Sequence, residues 1–411
     1  MQSTRKSSIT VLSTLLLTAT VTTAQQNTPD ATEQFFKATD ANADGVITID
    51  EVPVALKSSF PAADADGDGK ITLEEAKAFD KAIRLRETLR ERTNRSATDR
   101  HAETVRILRD IDYVGDENPR QSLDLYIPRT ARVDGDLPLV VFVHGGGWRQ
   151  GNKNQAGQQF AELASSGRFA CACIGYRLTD EATWPAQIHD CKAAIRWLRA
   201  NASSHGIDPD RIAVWGASAG GQLVAILGTT SDTSEMDGAL GEHTDVSSRV
   251  SCVVDYFGTS EHRASKARSS SQRSHSRSPA LRLLLGGDPA VMTEAARTSS
   301  PMAWVTEEDV PFLIVHGTED RTVPVEHSKR LDAALDKAGV DSKLVLIEGA
   351  GHGQFRDPKV MQIVMKYLDQ QLHGQKSDFE DIILEAMPPD RQRGRSNQGR
   401  NRRGRPGSDR N

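Results

Sequence analysis

Gly216-Ala217-Ser218-Ala219-Gly220 is the stretch that decides how this chain of 411 residues folds. A compact apolar run (residues 212–215) precedes Ser218, and a helix-forming run (219–227) follows it. Small neighbours let a chain turn sharply from strand into helix and leave the hydroxyl exposed. A second apolar run, 139–143, leads into His144-Gly145-Gly146-Gly147, whose histidine lies 74 residues before Ser218. There, too, small residues allow backbone N–H groups to come close to a bound molecule.

Outward from these two loops the same alternation repeats. The patterns predict strands at 104–111, 122–126, 169–174, 250–254, 312–315 and 344–347, and helices at 155–166, 185–199, 325–338 and 358–371. Short apolar strands separated by helices imply an α/β fold: a mostly parallel sheet covered on both faces. In such a sheet functional residues gather at the carboxyl ends of strands.

A serine hydroxyl is a weak nucleophile without an imidazole base, and the imidazole needs a carboxylate to orient it. His352, flanked by glycines after the strand at 344–347, is the base this reading selects. After the strand at 312–315, Asp320 and the adjacent Glu319 are the carboxylates placed to orient it, with helix capping as the alternative role of Asp320. His144 reads as a support for the glycine loop, and Asp190 as a helix-anchoring or hydrogen-bonding residue. Trp148 and Tyr176 either shape the mouth of the site or pack in the core.

Several motifs now stand in order: Val143-His144-Gly145-Gly146-Gly147-Trp148, Gly175-Tyr176-Arg177-Leu178, Asp190, Gly216-Ala217-Ser218-Ala219-Gly220-Gly221, His316-Gly317-Thr318-Glu319-Asp320 and Gly351-His352-Gly353. With them, residues 104–372 resemble secreted bacterial α/β-hydrolases of the esterase/lipase group, particularly the feruloyl and acetyl-xylan esterase branch. The resemblance implies a serine carboxylic-ester hydrolase working through an acyl-enzyme, without an organic cofactor. It implies Ser218, Asp320 and His352 as the triad, and N–H donors from Gly146, Gly147 and Ala219 for the oxyanion. The implied substrates are acetyl or feruloyl esters of polysaccharides, or small esters. A serine exo- or oligopeptidase on the same fold and a noncatalytic calcium-dependent binding protein are the alternatives; the glycine-rich oxyanion motif favours ester hydrolysis.

Nearer the N-terminus, two twelve-residue windows repeat one scheme of ligands. Asp40, Asn42 and Asp44 occupy positions one, three and five, followed by Gly45 at six and Glu51 at twelve; Asp64, Asp66, Asp68, Gly69 and Glu75 match them in register. Alternating oxygen donors wrap around Ca²⁺, glycine permits the turn, and the last glutamate can bind through both oxygens. Position seven needs only a carbonyl, supplied by Val46 and Lys70, while Thr48 and Thr72 act directly or through water. Ile47 and Ile71, both at position eight, are placed to pair across the loops. With Phe36 and Phe60 four residues ahead of each loop, residues 31–80 resemble an EF-hand-like pair holding structural calcium, of the compact kind found in secreted bacterial proteins. An acidic, solvated turn repeat is the alternative. The loops begin only 24 residues apart, so one helix near 52–60, confined by Pro53 and Pro61, is expected to serve both. A charged helix over 74–95 follows, and 81–103 reads as a helical linker.

Residues 1–24 read as a signal peptide: Arg5 and Lys6, a mainly apolar stretch at 9–21, then Thr22-Thr23-Ala24 suited to cleavage before Gln25. A secreted or periplasmic protein without stable membrane insertion is expected. Residues 373–411 read as an extension ending in a basic, unstructured tail. From Asp390 onward eight arginines stand against two aspartates, so the formal charge of −5 conceals a strongly acidic remainder. The tail lacks aromatic interleaving for base stacking, and no nucleic-acid partner is expected. Residues 261–279 read as a polar excursion. Export permits disulfides, and Cys173–Cys252, Cys171–Cys191 or four buried thiols all remain open.

Overall fold

The computed structural model describes residues 31–386 apart from 53–56, 58, 232, 263–277, 354, 356 and 377–379. The signal peptide expected at 1–24, most of the excursion at 261–279 and the basic tail lie outside the described residues.

The strands, in chain order, are β1 (Val46–Thr48), β2 (Lys70–Thr72), β3 (Val105–Asp112), β4 (Ser122–Pro128), β5 (Leu137–Val143), β6 (Ala170–Ile174), β7 (Ile207–Ala217), β8 (Cys252–Tyr256), β9 (Phe312–Gly317), β10 (Ser342–Glu348) and β11 (Ile382–Glu385). Nine of them form one sheet in the order β11-β10-β9-β8-β7-β5-β6-β4-β3. The β3–β4 and β4–β6 pairs are antiparallel, and the rest are parallel. This is the mostly parallel α/β sheet that the sequence predicts.

Strand β5 shows why. All seven of its residues are buried, as an unbroken apolar run requires when helices cover both faces. Alternate side chains divide between two cores. Leu139, Val141 and Val143 join the helices Ala186–Ala200 and Ala219–Thr229, while Val140 and Phe142 join Gly157–Ser165 and Pro358–His373. The four cysteines are free and buried. Cys171, Cys173 and Cys252 lie in the second core and Cys191 in the first, so the sheet separates Cys171 from Cys191.

The N-terminal module is helical apart from the β1–β2 ladder. It comprises α1 (Ala31–Thr39), α2 (Phe60–Ala63) and the start of α3 (Leu73–Asp99). Ile47 pairs with Ile71 across the two loops, as their shared position eight suggests. Phe36, Ile47, Val52, Phe60, Ala63 and Ile71 form its own small core. Thr72 caps α3 by accepting the Glu75 N–H, while the Glu75 side chain reaches back to the Thr72 N–H.

Several details differ from expectation. Pro61 lies in the first turn of α2, a position that needs no N–H, and most of the helix expected near 52–60 lies outside the described residues. The helix expected over 74–95 runs from Leu73 to Asp99 as α3, four residues further than its expected end. Strand β7 starts at Ile207, with a register shift between Leu137 and Leu139 accommodating the Asp208-Pro209-Asp210 segment. Beyond residue 372, β11 adds a parallel strand to β10. Among the described residues, no helix is long and apolar enough to cross a membrane.

Candidate active site

Ser218 joins β7 to the helix Ala219–Thr229 with φ 57° and ψ −116°. A side-chain-bearing residue held there stores on the order of 1–3 kcal/mol of strain, so neighbouring bonds must hold it. The Ser218 N–H donates to the Tyr256 carbonyl (2.8 Å), and the Gln222 N–H donates to the Ser218 carbonyl (3.0 Å). The turn is so tight that a Cβ on Gly216 would lie 2.1 Å from the Gly220 carbonyl oxygen, which explains the flanking glycines.

The loop after β10 carries His352 to this turn. Its Nε2 lies 3.1 Å from Ser218 Oγ, and its Nδ1 lies 2.6 Å from Asp320 Oδ2. An ionised carboxylate only accepts, so Nδ1 carries the proton and Nε2 offers a lone pair to the hydroxyl. The Phe257 ring meets the imidazole edge-on, 4.5 Å between centroids. Asp320 is buried after β9, whereas its competitor Glu319 is exposed. The N–H groups of Thr322 and Val323 donate to Asp320 Oδ1 at 2.7 and 2.9 Å. Burial works against ionisation of Asp320, but hydrogen bonds from His316 and His352 and the Val323 N–H outweigh it. Its carboxyl is held well below the usual carboxylate range.

The glycine loop stands opposite. Gly146 has φ +122°, and a Cβ there would lie 2.0 Å from the Gln150 carbonyl oxygen. That carbonyl belongs to a residue whose own N–H donates to Gly146 O at 3.3 Å, closing the loop on itself. Among the described residues, the N–H groups of Gly146, Gly147 and Ala219 have no hydrogen-bond acceptor, and all three residues line the cleft containing Ser218. Trp148 ties this loop to the helix after Ser218 through Nε1–H to Gln222 Oε1 (3.0 Å).

The supporting residues occupy the places their chemistry suggests. His144 is buried, stacks on Tyr176 at 4.2 Å and contacts its neighbour's carbonyl through Nδ1 (2.8 Å). Burial lowers its pKa to about 4, so it stays neutral and structural. Tyr176 donates to the His144 carbonyl at 2.9 Å and lies in the core, whereas Trp148 also faces the cleft. Asp190 is buried and accepts from the Arg177 guanidinium (2.7 Å) and from Gln121 Nε2 (2.8 Å).

The cleft has a volume of about 1010 Å³. Besides Ser218, His352 and Trp148, its lining includes Tyr256, Phe257 and Phe35, none of which the sequence singled out. Tyr256 and Phe257 sit at the carboxyl end of β8, the position in an α/β sheet where a search would find them. Phe35 arrives from α1, far away in sequence, with no local signal of its destination.

The BD-FAE family model matches residues 123–335. The chain belongs to this family. An EF-hand model matches 32–52 and 56–79 upstream of the BD-FAE domain. Esterase LipC of Mycobacterium tuberculosis is 33% identical over 239 residues, covering 58% of each chain. Isoprenylcysteine alpha-carbonyl methylesterase ICME of Arabidopsis thaliana is 30% identical over 275 residues, 65% of this chain and 59% of its own. The chain therefore spans between half and two thirds of the length of these curated relatives. Among solved structures, a truncated carbohydrate esterase from gut microbiota has a TM-score of 0.59 at 29% identity, covering 66% of this chain and 97% of that one. A thermophilic esterase, Est2, of the Planctomycetes species Thermogutta terrifontis gives 0.52 at 27% identity, with coverages of 65% and 92%. These similarities support ester hydrolysis in general for the BD-FAE domain.

In the EF-hand-like module, Asp64, Asp66 and Asp68 each bring a carboxylate oxygen within 4.8 Å of the others, a donor set that fits a hard cation. In the first loop Asp40 accepts the N–H groups of Asp44 (3.2 Å) and Gly45 (3.0 Å), and Asn42 Oδ1 accepts the Asp44 N–H (2.8 Å). Val46 and Lys70, the carbonyl positions, lie on the β1–β2 ladder. Thr48 and Thr72 donate their hydroxyl protons to Glu51 and Glu75 at 2.9 and 2.8 Å, so these hydroxyls also anchor the closing glutamates. The threonine N–H groups, followed by the other donors, hold both glutamates below their usual pKa.

Proposed function

We propose that the chain is a serine carboxylic-ester hydrolase acting through an acyl-enzyme. One observation carries this reading: Ser218 Oγ, the His352 ring and the Asp320 carboxylate form an unbroken hydrogen-bond series of 3.1 and 2.6 Å. Ser218 attacks the ester carbonyl as His352 Nε2 takes its proton. The N–H groups of Gly146, Gly147 and Ala219 stabilise the oxyanion, and His352 then protonates the departing alcohol. Water, deprotonated by His352, attacks the acyl-enzyme and releases the acid. Asp320 fixes the tautomer and stabilises the imidazolium.

Acetyl or feruloyl esters of polysaccharides, or small esters, are the proposed substrates, a choice supported by the likeness to a carbohydrate esterase. We assign residues 31–80 to a module for structural Ca²⁺, 81–103 to its helical linker and 104–372 to catalysis, with 373–411 as an extension. Asp40, Asn42, Asp44, Val46, Thr48 and Glu51 form one ligand set, and Asp64, Asp66, Asp68, Lys70, Thr72 and Glu75 the other. Cleavage after residue 24 would deliver a secreted or periplasmic enzyme.

A matched panel of acetyl, butyryl, long-chain, feruloyl and peptide substrates tests this reading beside Ser218→Ala. Ester turnover that falls by about 10⁶ in the variant is expected for a serine nucleophile of this kind. Unchanged turnover, or preference for the peptide, defeats it.

A further inference from the structure

The cleft that holds Ser218 is completed by a side chain from outside the BD-FAE domain. Phe35, on α1 of the EF-hand-like module, lines the same cavity as Ser218, Gly146 and His352. Its neighbour Phe36 is buried in the module's own core, so adjacent phenylalanines serve two different interiors. The Phe35 ring carries the Arg149 guanidinium 4.2 Å from its centroid, and Arg149 follows Trp148 directly in the glycine loop. Arg149 also reaches Asp80 on α3 (3.8 Å), and Asp80 accepts from the Thr32 hydroxyl on α1 (3.0 Å). The α1 helix further packs on the helix Pro279–Leu285, whose Pro279 and Ala280 line the cleft as well. Two helices of the module and the glycine loop thus meet at one guanidinium.

Both helices are joined directly to the ligand loops. Asp40, at position one, immediately follows α1, and its N–H donates to the Phe36 carbonyl at 2.9 Å. Glu75, at position twelve of the second loop, lies in the first turn of the α3 helix that carries Asp80. Any ordering of the loops therefore acts on the two helices that place Phe35 and hold Arg149.

We infer that the N-terminal module forms a wall of the active cleft, with Phe35 as a specificity-determining side chain for esters bearing a ring-sized apolar group remote from the carbonyl, and with Arg149 coupling cation loading of the module to that wall. This inference rests on the proposed hydrolase reading. Two sites linked through one element must influence each other reciprocally, so cation affinity and ring-ester affinity are coupled.

The test uses the full chain and three probes: ethyl acetate, phenethyl acetate and ethyl 3-phenylpropanoate, the last two carrying the ring on the alcohol and acyl sides. In Phe35→Ala, kcat/KM for at least one ring ester relative to ethyl acetate is expected to fall about tenfold, the worth of an apolar pocket group, with the change in KM. Phe35→Tyr restores the ratio, and Phe35→Leu provides an intermediate should the alanine variant fail to fold. A ratio that stays the same in all three variants overturns the role of Phe35. Hydrogen exchange supplies a readout independent of turnover. With about 1 mM Ca²⁺, at the weak end for extracellular modules, amides 145–150 are expected to exchange more slowly than in chelator. In Arg149→Gln that response is lost while protection of 40–51 and 64–75 persists. Indifference of 145–150 to calcium in the unmodified protein overturns the coupling. If no ester is turned over, or Ser218→Ala turns over all three equally, it is the hydrolase reading that fails.

Discussion

His316 Nε2 lies 3.3 Å from Asp320 Oδ2, the same oxygen that receives His352 Nδ1. His316 also contacts the Val323 carbonyl through Nε2 (2.9 Å), which fixes the proton on that nitrogen, and Ser328 Oγ through Nδ1 (2.6 Å). Asp320 is thereby surrounded by donors, and its carboxyl titrates below the usual 3.8. A carboxyl depressed on folding contributes stability that is present above its unfolded pKa and is lost as pH falls through the folded value. Urea unfolding between about pH 4 and pH 2 is expected to show a shallower acid decline for Asp320→Asn than for the unmodified chain. Equal declines would remove Asp320 as their source.

Asp320→Asn should also lower kcat by about 10⁴, since the amide stabilises the wrong imidazole tautomer. The exposed Glu319 provides the comparison. Glu319→Gln is expected to leave kcat within about twofold, because surface substitutions away from such contacts have little effect. A larger loss at Glu319 than at Asp320, measured on one acetyl ester, would reverse the assignment.

Asp255 is expected to behave in the opposite sense. It is buried at the end of β8 and accepts the Gly258 N–H at 2.9 Å, and burial raises its pKa to about 6. Its contribution to stability is full below the unfolded pKa of 3.8 and is lost as pH rises through about 6. Asp255→Asn keeps an oxygen for the Gly258 N–H and should flatten that part of the stability curve, by of order 3 kcal/mol at pH 7. Denaturant midpoints at pH 4 and pH 7 decide the matter.

At Gly146 a methyl group meets both a φ of +122° and a carbonyl oxygen 2.0 Å away. Gly146→Ala must shift the loop and misplace an N–H donor, so kcat should fall by about 10²–10³. Steady-state kinetics on a small acetyl ester would show the loss in kcat, with KM nearly constant. A loss confined to KM would mean that the loop binds substrate without holding the oxyanion.

Calcium should raise the melting temperature of the full chain. A ligand at about 100 times its Kd stabilises by about 2.7 kcal/mol. Asp66→Asn is expected to weaken the calcium response while raising the melting temperature in chelator, because it removes one of three converging carboxylates. Calorimetry that shows the same calcium response in both proteins would exclude Asp66 as a ligand.

The parts of the site legible in the sequence are those set by local backbone demands. Ser218 announces itself because its turn tolerates only glycine at Gly216, and His352 because glycines flank it after a strand. The Ile47–Ile71 pair follows from the repeat itself. Phe35 and Arg149 were hidden because their meeting depends on how one module packs against another, which no local spacing encodes. The start of β7 was hidden by Pro209, a residue that usually argues against a strand. Strand β11 carries no sequence signature, because four residues, Ile-Ile-Leu-Glu, amid charged neighbours are too short for a period to show.

That short strand bears on how the molecules behave toward one another. By covering β10, whose Val345 and Ile347 are buried, β11 becomes the outer edge of the sheet and exposes Ile383 with Glu385 nearby. A chain ending before residue 380 would present the backbone of β10 as an open template, seven residues long and rich in β-branched and aliphatic side chains. Unpaired edges of that kind recruit strands from other copies. Pairing with β11 thus shortens the sheet's outer edge on this side from the seven residues of β10 to the four of β11, and a very short edge strand offers less backbone for such recruitment.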